Sequence, residues 1–219
     1  MSVVDPTVRL ERRLLREHAA VISIDEVGRG AVAGPVAVGV TVLSTPRIRH
    51  RIPEGLRDSK AVPAARRDAV AMRARDWVDA SAVGWAGADE IDAVGIMRAL
   101  GLAAHRALAH LRDHGTLPVD AVIVLDGNVD YITAVGPPPA PVLTRVAADR
   151  DCAGTAAASV IAKTQRDALM VRLAPGFPPY AWERNKGYAS VEHRRAIGLV
   201  GLSVHHRASW ALLTAAPDC

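Results

Sequence analysis

A chain of 219 residues, half of them hydrophobic, is long enough for one well-filled globular domain and too apolar for a disordered one. A net charge of +4 permits a polyanionic partner without establishing one, because the basic residues are spread along the chain. Two cysteines exclude a disulfide framework, no Cys/His spacing resembles a zinc site, and the longest apolar run, 31–43, is broken by Pro35 and too short to span a bilayer. With acids at Asp5 and Glu11 and no apolar core in the N-terminal stretch, the expected location is the cytoplasm.

In chain order, a helix is expected over 7–19, with Val8, Leu10, Leu14 and Leu15 roughly on one side. Val21, Ile22 and Ile24 read as a buried strand over about 20–26, and the Val-rich segment 35–44 as the next. Between them stands Asp25-Glu26-Val27-Gly28-Arg29-Gly30. Two carboxylates at the end of a core strand are costly unless paired, hydrogen-bonded or bound to a metal ion. The glycines after them let another molecule approach the main chain closely. Alone, this stretch reads equally as a site or as a capped turn; a dinucleotide loop is disfavoured by its spacing and by acids that would repel a pyrophosphate.

The basic, irregular segment 45–53 leads into the loop Gly55-Leu56-Arg57-Asp58-Ser59-Lys60, and Pro63 then opens a helix to about 79. A third strand over 80–86 and a long helical stretch over 88–114, softened by Gly95 and Gly101, follow. Segment 120–128 is a second continuous apolar strand that ends in an acid and a glycine, Asp126-Gly127. A turn after a buried strand is common; its repetition is less so. Beyond the proline-rich 136–141 comes a short fifth strand over 142–147, with Asp149 just past its end. A helix over 153–173 begins with Ala156, Ala157, Ala158 and Ser159, small enough for close packing on a sheet, and sets Lys163 one turn after Ser159. The segment 175–190 is rich in Pro, Gly and aromatic residues and holds Asn185-Lys186-Gly187-Tyr188 in an exposed-looking loop. A helix over 191–200 and a short one after Trp210 close the chain, and His193 and His205 read as surface or helix-capping groups.

Three strands that end in acids could bring Asp25, Glu26, Asp126 and Asp149 to one edge of a sheet. Two unit charges about 4 Å apart repel by roughly 4 kcal/mol at an effective dielectric of about 20, so protons or cations must neutralise such a group. Oxygen donors without His or Cys select Mg²⁺ or Mn²⁺, and two such ions support phosphodiester hydrolysis. The acids therefore point to a nucleic-acid phosphodiesterase. Of 27 basic residues only three are lysines, Lys60, Lys163 and Lys186, so each asks for a reason.

Several ordered motifs carry a more specific likeness. Ile24-Asp25-Glu26-Val27-Gly28-Arg29-Gly30, Ala33-Gly34-Pro35-Val36, Asp58-Ser59-Lys60, Asp126-Gly127-Asn128, Ala157-Ala158-Ser159-Val160-Ile161-Ala162-Lys163, Lys186-Gly187-Tyr188 and His206-Arg207 follow one another as in bacterial ribonuclease HII, which the chain resembles from about 20 to 212. The resemblance implies an α/β, ribonuclease H-like fold with a five-stranded mixed sheet flanked by helices and a C-terminal helical region. The domains expected are an N-terminal helix over 1–19, read from its own pattern, and, as the resemblance implies, a catalytic domain over 20–175 and a substrate-holding helical region over 176–219. The acidic quartet that the resemblance implies maps to Asp25, Glu26, Asp126 and Asp149, the last by its distance from Ser159, with Asp151 the rival.

Gly28, Arg29 and Gly30 are implied to contact a ribonucleotide 2′-hydroxyl, and Tyr188 to pack on the following sugar; a 2′-hydroxyl, donor and acceptor at once, suits nearby main-chain groups. Lys60, Lys163 and Lys186 would contact phosphate or the site, with Lys163 alternatively buttressing the acids. The implied protein is a monomeric Mg²⁺- or Mn²⁺-dependent endoribonuclease. It would cut RNA in RNA–DNA hybrids and incise 5′ to single ribonucleotides in duplex DNA, as in ribonucleotide excision repair, leaving 5′-phosphate and 3′-hydroxyl ends. The chain departs from the family pattern at Ala147, where many members carry lysine and Arg145 is the available substitute, and at Ala61 and Val62. A hybrid nuclease without single-ribonucleotide preference and a binding module with vestigial acids are the alternatives.

Overall fold

The computed structural model describes residues 5–210, so the short helix expected after Trp210 lies outside the described residues. Five strands, β1 (Ala20–Val27), β2 (Val36–Ser44), β3 (Ala80–Ala86), β4 (Ala121–Asp126) and β5 (Val142–Arg145), form one sheet in the order β3-β2-β1-β4-β5. β1 runs antiparallel to β2 and β2 to β3, whereas β4 lies parallel to both β1 and β5, so the sheet is mixed as expected. Helices α2 (Ala64–Trp77), α3 (Ala88–Val94), α4 (Ile96–Asp113) and α6 (Ala153–Leu173) flank it. None of the helices among the described residues is long and apolar enough to cross a membrane.

β1 and β2 are buried along nearly their whole length, Ser23 and Thr41 included, because the sheet is covered on both faces. On one face Ile22, Ile24, Val38, Val40, Ile123 and Leu125 pack against Leu100, Ala103 and Ala104 of α4. On the other, α6 lies against Leu43 and against Val70 and Ala74 of α2, through Ala157, Val160 and Ile161. The small residues of α6 allow this approach: a Cβ on Gly39 would stand 2.3 Å from the Ala158 carbonyl oxygen. A third cluster joins Val32, Ala33 and Met170 to Tyr180, Trp182, Ala196 and Ile197, so the C-terminal chain with α7 (Trp182–Asn185) and α8 (Val191–Val200) packs directly on the loop after β1.

Three expectations need correction. The first helix, α1, covers only Arg9–Leu14. It stops because the chain must turn into β1 beside β4, where Asp120 takes the Ala19 N–H at 3.0 Å and contacts His18 Nδ1 at 3.2 Å. The long helical stretch breaks into α3 and α4 at Gly95, whose φ of +79° no helix contains. β5 ends at Arg145; Ala147 turns left-handed and Ala148–Asp151 forms a single helical turn, α5, so Asp149 sits on that turn.

Candidate active site

The strand pleat decides where the acids point. Ile22 and Ile24 face α4 while Val21 faces the opposite side, so Asp25 lies on the α6 side and Glu26 on the other. On β4, Val122 and Val124 share the Val21 side, which places Asp126 on the same side as Asp25. The parallel pairing of Ile24 with Leu125 makes these two acids neighbours at the strand ends. Asp126 Oδ1 caps the α5 turn, accepting the Ala148 N–H at 2.6 Å and the Asp149 N–H at 3.3 Å, which draws Asp149 to the same edge.

The acids lie within one electrostatic field. Asp25 is 5% exposed; burial, then Glu26, Asp126 and Asp149, push its pKa well above the usual carboxylate range against a hydrogen bond from Ser159. Burial also raises Glu26, opposed by Arg29 at 3.5 Å and reinforced by Asp126. Asp149 is raised to about 6 by burial, Asp126 and Asp58, with Lys60 pulling the other way. Asp151 behaves differently: Arg150 at 2.8 Å and Arg145 at 3.1 Å hold its pKa below the ordinary value, so it is committed elsewhere. Among the described residues no three carboxylates, imidazoles or thiols are already gathered as one ion would hold them.

A cleft of ≈ 310 Å³ opens over Asp25 and Glu26. Gly28, Arg29 and Gly30 make one wall, Ser59 and Lys60 a second, Lys163 and Tyr188 a third. Lys60 loses some basicity to burial, but Asp58, Asp149, Asp25 and Asp126 together hold its pKa above the lysine value. Lys163 is lowered by burial and held at 2.5 Å by Asp167, which also pairs with Arg67 at 3.0 Å; it does not buttress the acids. Tyr188 is 37% exposed, with Lys163 Nζ 5.7 Å and the Arg166 guanidinium 5.5 Å from its ring centroid. Asp126 and Asp149 stand beside the cleft lining, within electrostatic reach. Lys186 is apart: its Nζ donates to the Glu183 carbonyl.

The ribonuclease HII family model matches residues 22–213, almost the whole chain. The chain belongs to the ribonuclease HII family. The ribonuclease HII of Streptomyces coelicolor is 44% identical over 222 residues, covering all of this chain and 89% of that protein. That of Ruegeria pomeroyi is 41% identical over 213 residues, covering 95% and 84%. Among solved structures, the ribonuclease H2 of Pyrococcus horikoshii superposes with a TM-score of 0.69 at 26% identity, covering 88% of this chain and 94% of that one. A Bst-RNase HIII structure in complex with Mn²⁺ reaches 0.73 at 20% identity, covering 95% and 71%, and shares the fold. The sheet and its helices are thus the ribonuclease H-like fold, and the chain is an endoribonuclease, a hydrolase of RNA in RNA–DNA hybrids.

Among the residues that build this cleft, Arg166 carries no sequence signal, and Arg207 and His193 carry none of the part they play. Arg166 and Arg207 are wholly buried. Arg166 donates to the carbonyls of Pro35 (2.8 Å), Lys186 (3.0 Å) and Ala33 (3.2 Å), tying the loop after β1 to the loop that carries Tyr188. His193, expected at the surface or as a cap, is fully buried; Ser190 caps α8, and His193 holds the Tyr188 carbonyl through Nδ1 at 2.9 Å. Ser59 and Ser159, 3.0 Å apart through their Oγ atoms, brace Asp25 from motifs the sequence does reveal. At the departure from the family pattern, Arg145 pairs with Asp151 and lines a separate hollow of ≈ 400 Å³ with Arg9 and Arg13, so it does not replace a lysine at Ala147 in the cleft.

Proposed function

We propose that this chain incises duplex DNA 5′ to a single embedded ribonucleotide, in addition to cutting the RNA of longer hybrids, and leaves 5′-phosphate and 3′-hydroxyl ends. The observation that carries the proposal is one cleft in which Asp25 and Glu26 floor the space between the Gly28-Arg29-Gly30 main chain and the Tyr188 ring. A sugar seated there presents its 2′-hydroxyl to backbone groups and its neighbour to an aromatic face, which suits a junction between one ribonucleotide and DNA.

The donor set fits Mg²⁺ or Mn²⁺. Asp25, Glu26, Asp126 and Asp149 offer only oxygen, and burial and mutual repulsion raise the pKa values of Asp25, Glu26 and Asp149, a cost a hard cation would relieve. Asp25, Asp126 and Asp149 would ligate the ions, with Glu26 sharing ligation or orienting the water. A bound pair would supply a water activated for attack and charge stabilisation at the leaving oxygen. Lys60 and Lys163, on two walls of the cleft, would hold phosphate, Lys186 would meet the backbone at its rim, and the region 176–219 would hold the duplex against the catalytic domain of 20–175.

Asp126→Asn keeps the α5 cap through its side-chain oxygen but removes one charge from the cluster. Incision is expected to fall by at least about a thousandfold while hybrid affinity holds within about threefold. Turnover near the wild-type rate would refute the metal assignment.

A further inference from the structure

Arg207 is fully buried and, among the described residues, hydrogen-bonds to no carboxylate. Its Nη1 donates to the Arg29 carbonyl at 2.8 Å, and its Nη2 to the carbonyls of Gly28 at 2.6 Å and Gly34 at 3.2 Å. Its own N–H reaches the Val32 carbonyl at 3.0 Å. Burial, then the neighbouring Arg166, pulls its pKa down to about 9, so the site tolerates an expensive cation. What the cation does is gather carbonyls from one short loop. Two nitrogens spanning three acceptors require the planar fork of a guanidinium; a lysine ammonium is a single point.

Peptide planarity carries the consequence outward. In a trans peptide the C=O of one residue and the N–H of the next point in opposite directions. Drawing the Gly28 carbonyl inward therefore turns the Arg29 N–H outward, and drawing the Arg29 carbonyl inward turns the Gly30 N–H outward. The hydrogen bonding agrees. The amides of Ala31, Val32, Ala33 and Gly34 are all engaged, by Gly28, Gly187 twice and His205, whereas no acceptor among the described residues meets the amides of Arg29 or Gly30. Both residues line the cleft.

We propose that Arg207 is the positioning residue for sugar discrimination, its guanidinium turning the Arg29 and Gly30 N–H groups into the cleft as paired donors to a 2′-hydroxyl oxygen. This rests on the reading that the Gly28-Arg29-Gly30 main chain senses the ribonucleotide. Segment 207–209 is in turn fixed by Asp92, which takes the Ala208 and Ser209 N–H groups at 2.9 and 3.0 Å.

The test is affinity, measured by fluorescence anisotropy in chelator so that no strand is cut, for a duplex with one ribonucleotide and for its all-DNA counterpart. The wild-type protein is expected to prefer the ribonucleotide duplex by about tenfold, the worth of one well-made hydrogen bond. Arg207→Lys is expected to bring the ratio below about twofold while all-DNA affinity holds within about twofold, since its charge is retained. A merely structural residue would weaken both duplexes alike. Should that variant not fold, Asp92→Ala, which loosens the anchor from outside the core, is expected to lower the ratio at least about threefold. An unchanged ratio in a folded Arg207→Lys or in Asp92→Ala overturns the role of Arg207 and leaves the 2′-hydroxyl reading intact. A wild-type ratio of one overturns both.

Discussion

His193 and His206 meet through their Nε2 atoms at 3.0 Å inside the packing that carries Tyr188. The donors around them permit one arrangement of protons. The Ser203 N–H donates to His206 Nδ1 at 2.9 Å, so His206 carries its proton on Nε2 and gives it to His193. The Trp182 indole N–H reaches the same His193 nitrogen at 3.1 Å, which leaves the His193 proton on Nδ1, donated to the Tyr188 carbonyl at 2.9 Å. Both rings are therefore neutral. Burial, then His193, takes the His206 pKa down to about 4, and burial lowers His193 as well.

A pH dependence follows with a definite sign. The folded pKa of His206 lies below its ordinary value of 6.5, so its contribution to stability is complete above about pH 6.5 and is lost as pH falls towards about 4. Between pH 7.5 and 5.0 the wild-type protein is expected to lose about 1–2 kcal/mol more than His206→Asn, read from urea midpoints. The paired comparison matters because the acid cluster titrates oppositely in the same window. Parallel slopes in the two proteins would show that the imidazoles are not held neutral.

Asp149 works in the other direction. Its folded pKa of about 6 lies above the ordinary 3.8, so its contribution is full below pH 3.8 and lost as pH rises through 6. At pH 8 in chelator, Asp149→Asn is expected to be more stable than wild type by about 1–2 kcal/mol, and inactive. Mg²⁺ should then stabilise the wild-type protein by about 2.7 kcal/mol at a hundredfold excess over its dissociation constant, and the variant by less. A variant that melts below wild type in chelator would contradict the repulsion argument.

The two glycines of the cleft wall after β1 should part company. Gly28 has φ +85°, and a Cβ there would stand 2.1 Å from Arg166 Nε, so Gly28→Ala is expected to destabilise by about 2–4 kcal/mol. A Cβ on Gly30 would meet nothing within 4 Å, and Gly30→Ala is expected to hold stability within about 0.5 kcal/mol. It should nonetheless slow incision at a lone ribonucleotide by at least about tenfold, by crowding the sugar. Normal incision by Gly30→Ala would remove this wall from the account.

What the sequence discloses is what its own chemistry marks. β1 and β4 are legible because each is a mostly apolar run that ends in acid with a glycine close behind, and the Asp126 cap explains why an acid just after β5 reaches the same edge. The opposite orientations of Asp25 and Glu26 were available in the pleat yet are easily overlooked when two adjacent acids are read as one feature. Arg166 is not legible, and Arg207 is legible only as part of the His206-Arg207 motif, without its role: in a chain where arginine fills nearly every basic position, a buried one looks like any other. Their partners are carbonyls, which carry no residue identity and, Lys186 apart, belong to segments more than a hundred positions away. His193 misleads for a related reason, since its burial depends on Trp182, Tyr188 and His206 arriving together.

The central claim is that the acids, the Gly28-Arg29-Gly30 wall and Tyr188 work as one site on a ribonucleotide–DNA junction. Its most direct test maps cut positions at nucleotide resolution on a duplex with a single ribonucleotide, beside an all-DNA duplex and a long RNA–DNA hybrid, in Mg²⁺, Mn²⁺ or chelator. The account predicts metal-dependent nicking 5′ to the lone ribonucleotide, cutting of the hybrid, and none of the all-DNA duplex. Cutting of the hybrid with the lone ribonucleotide left intact would contradict it.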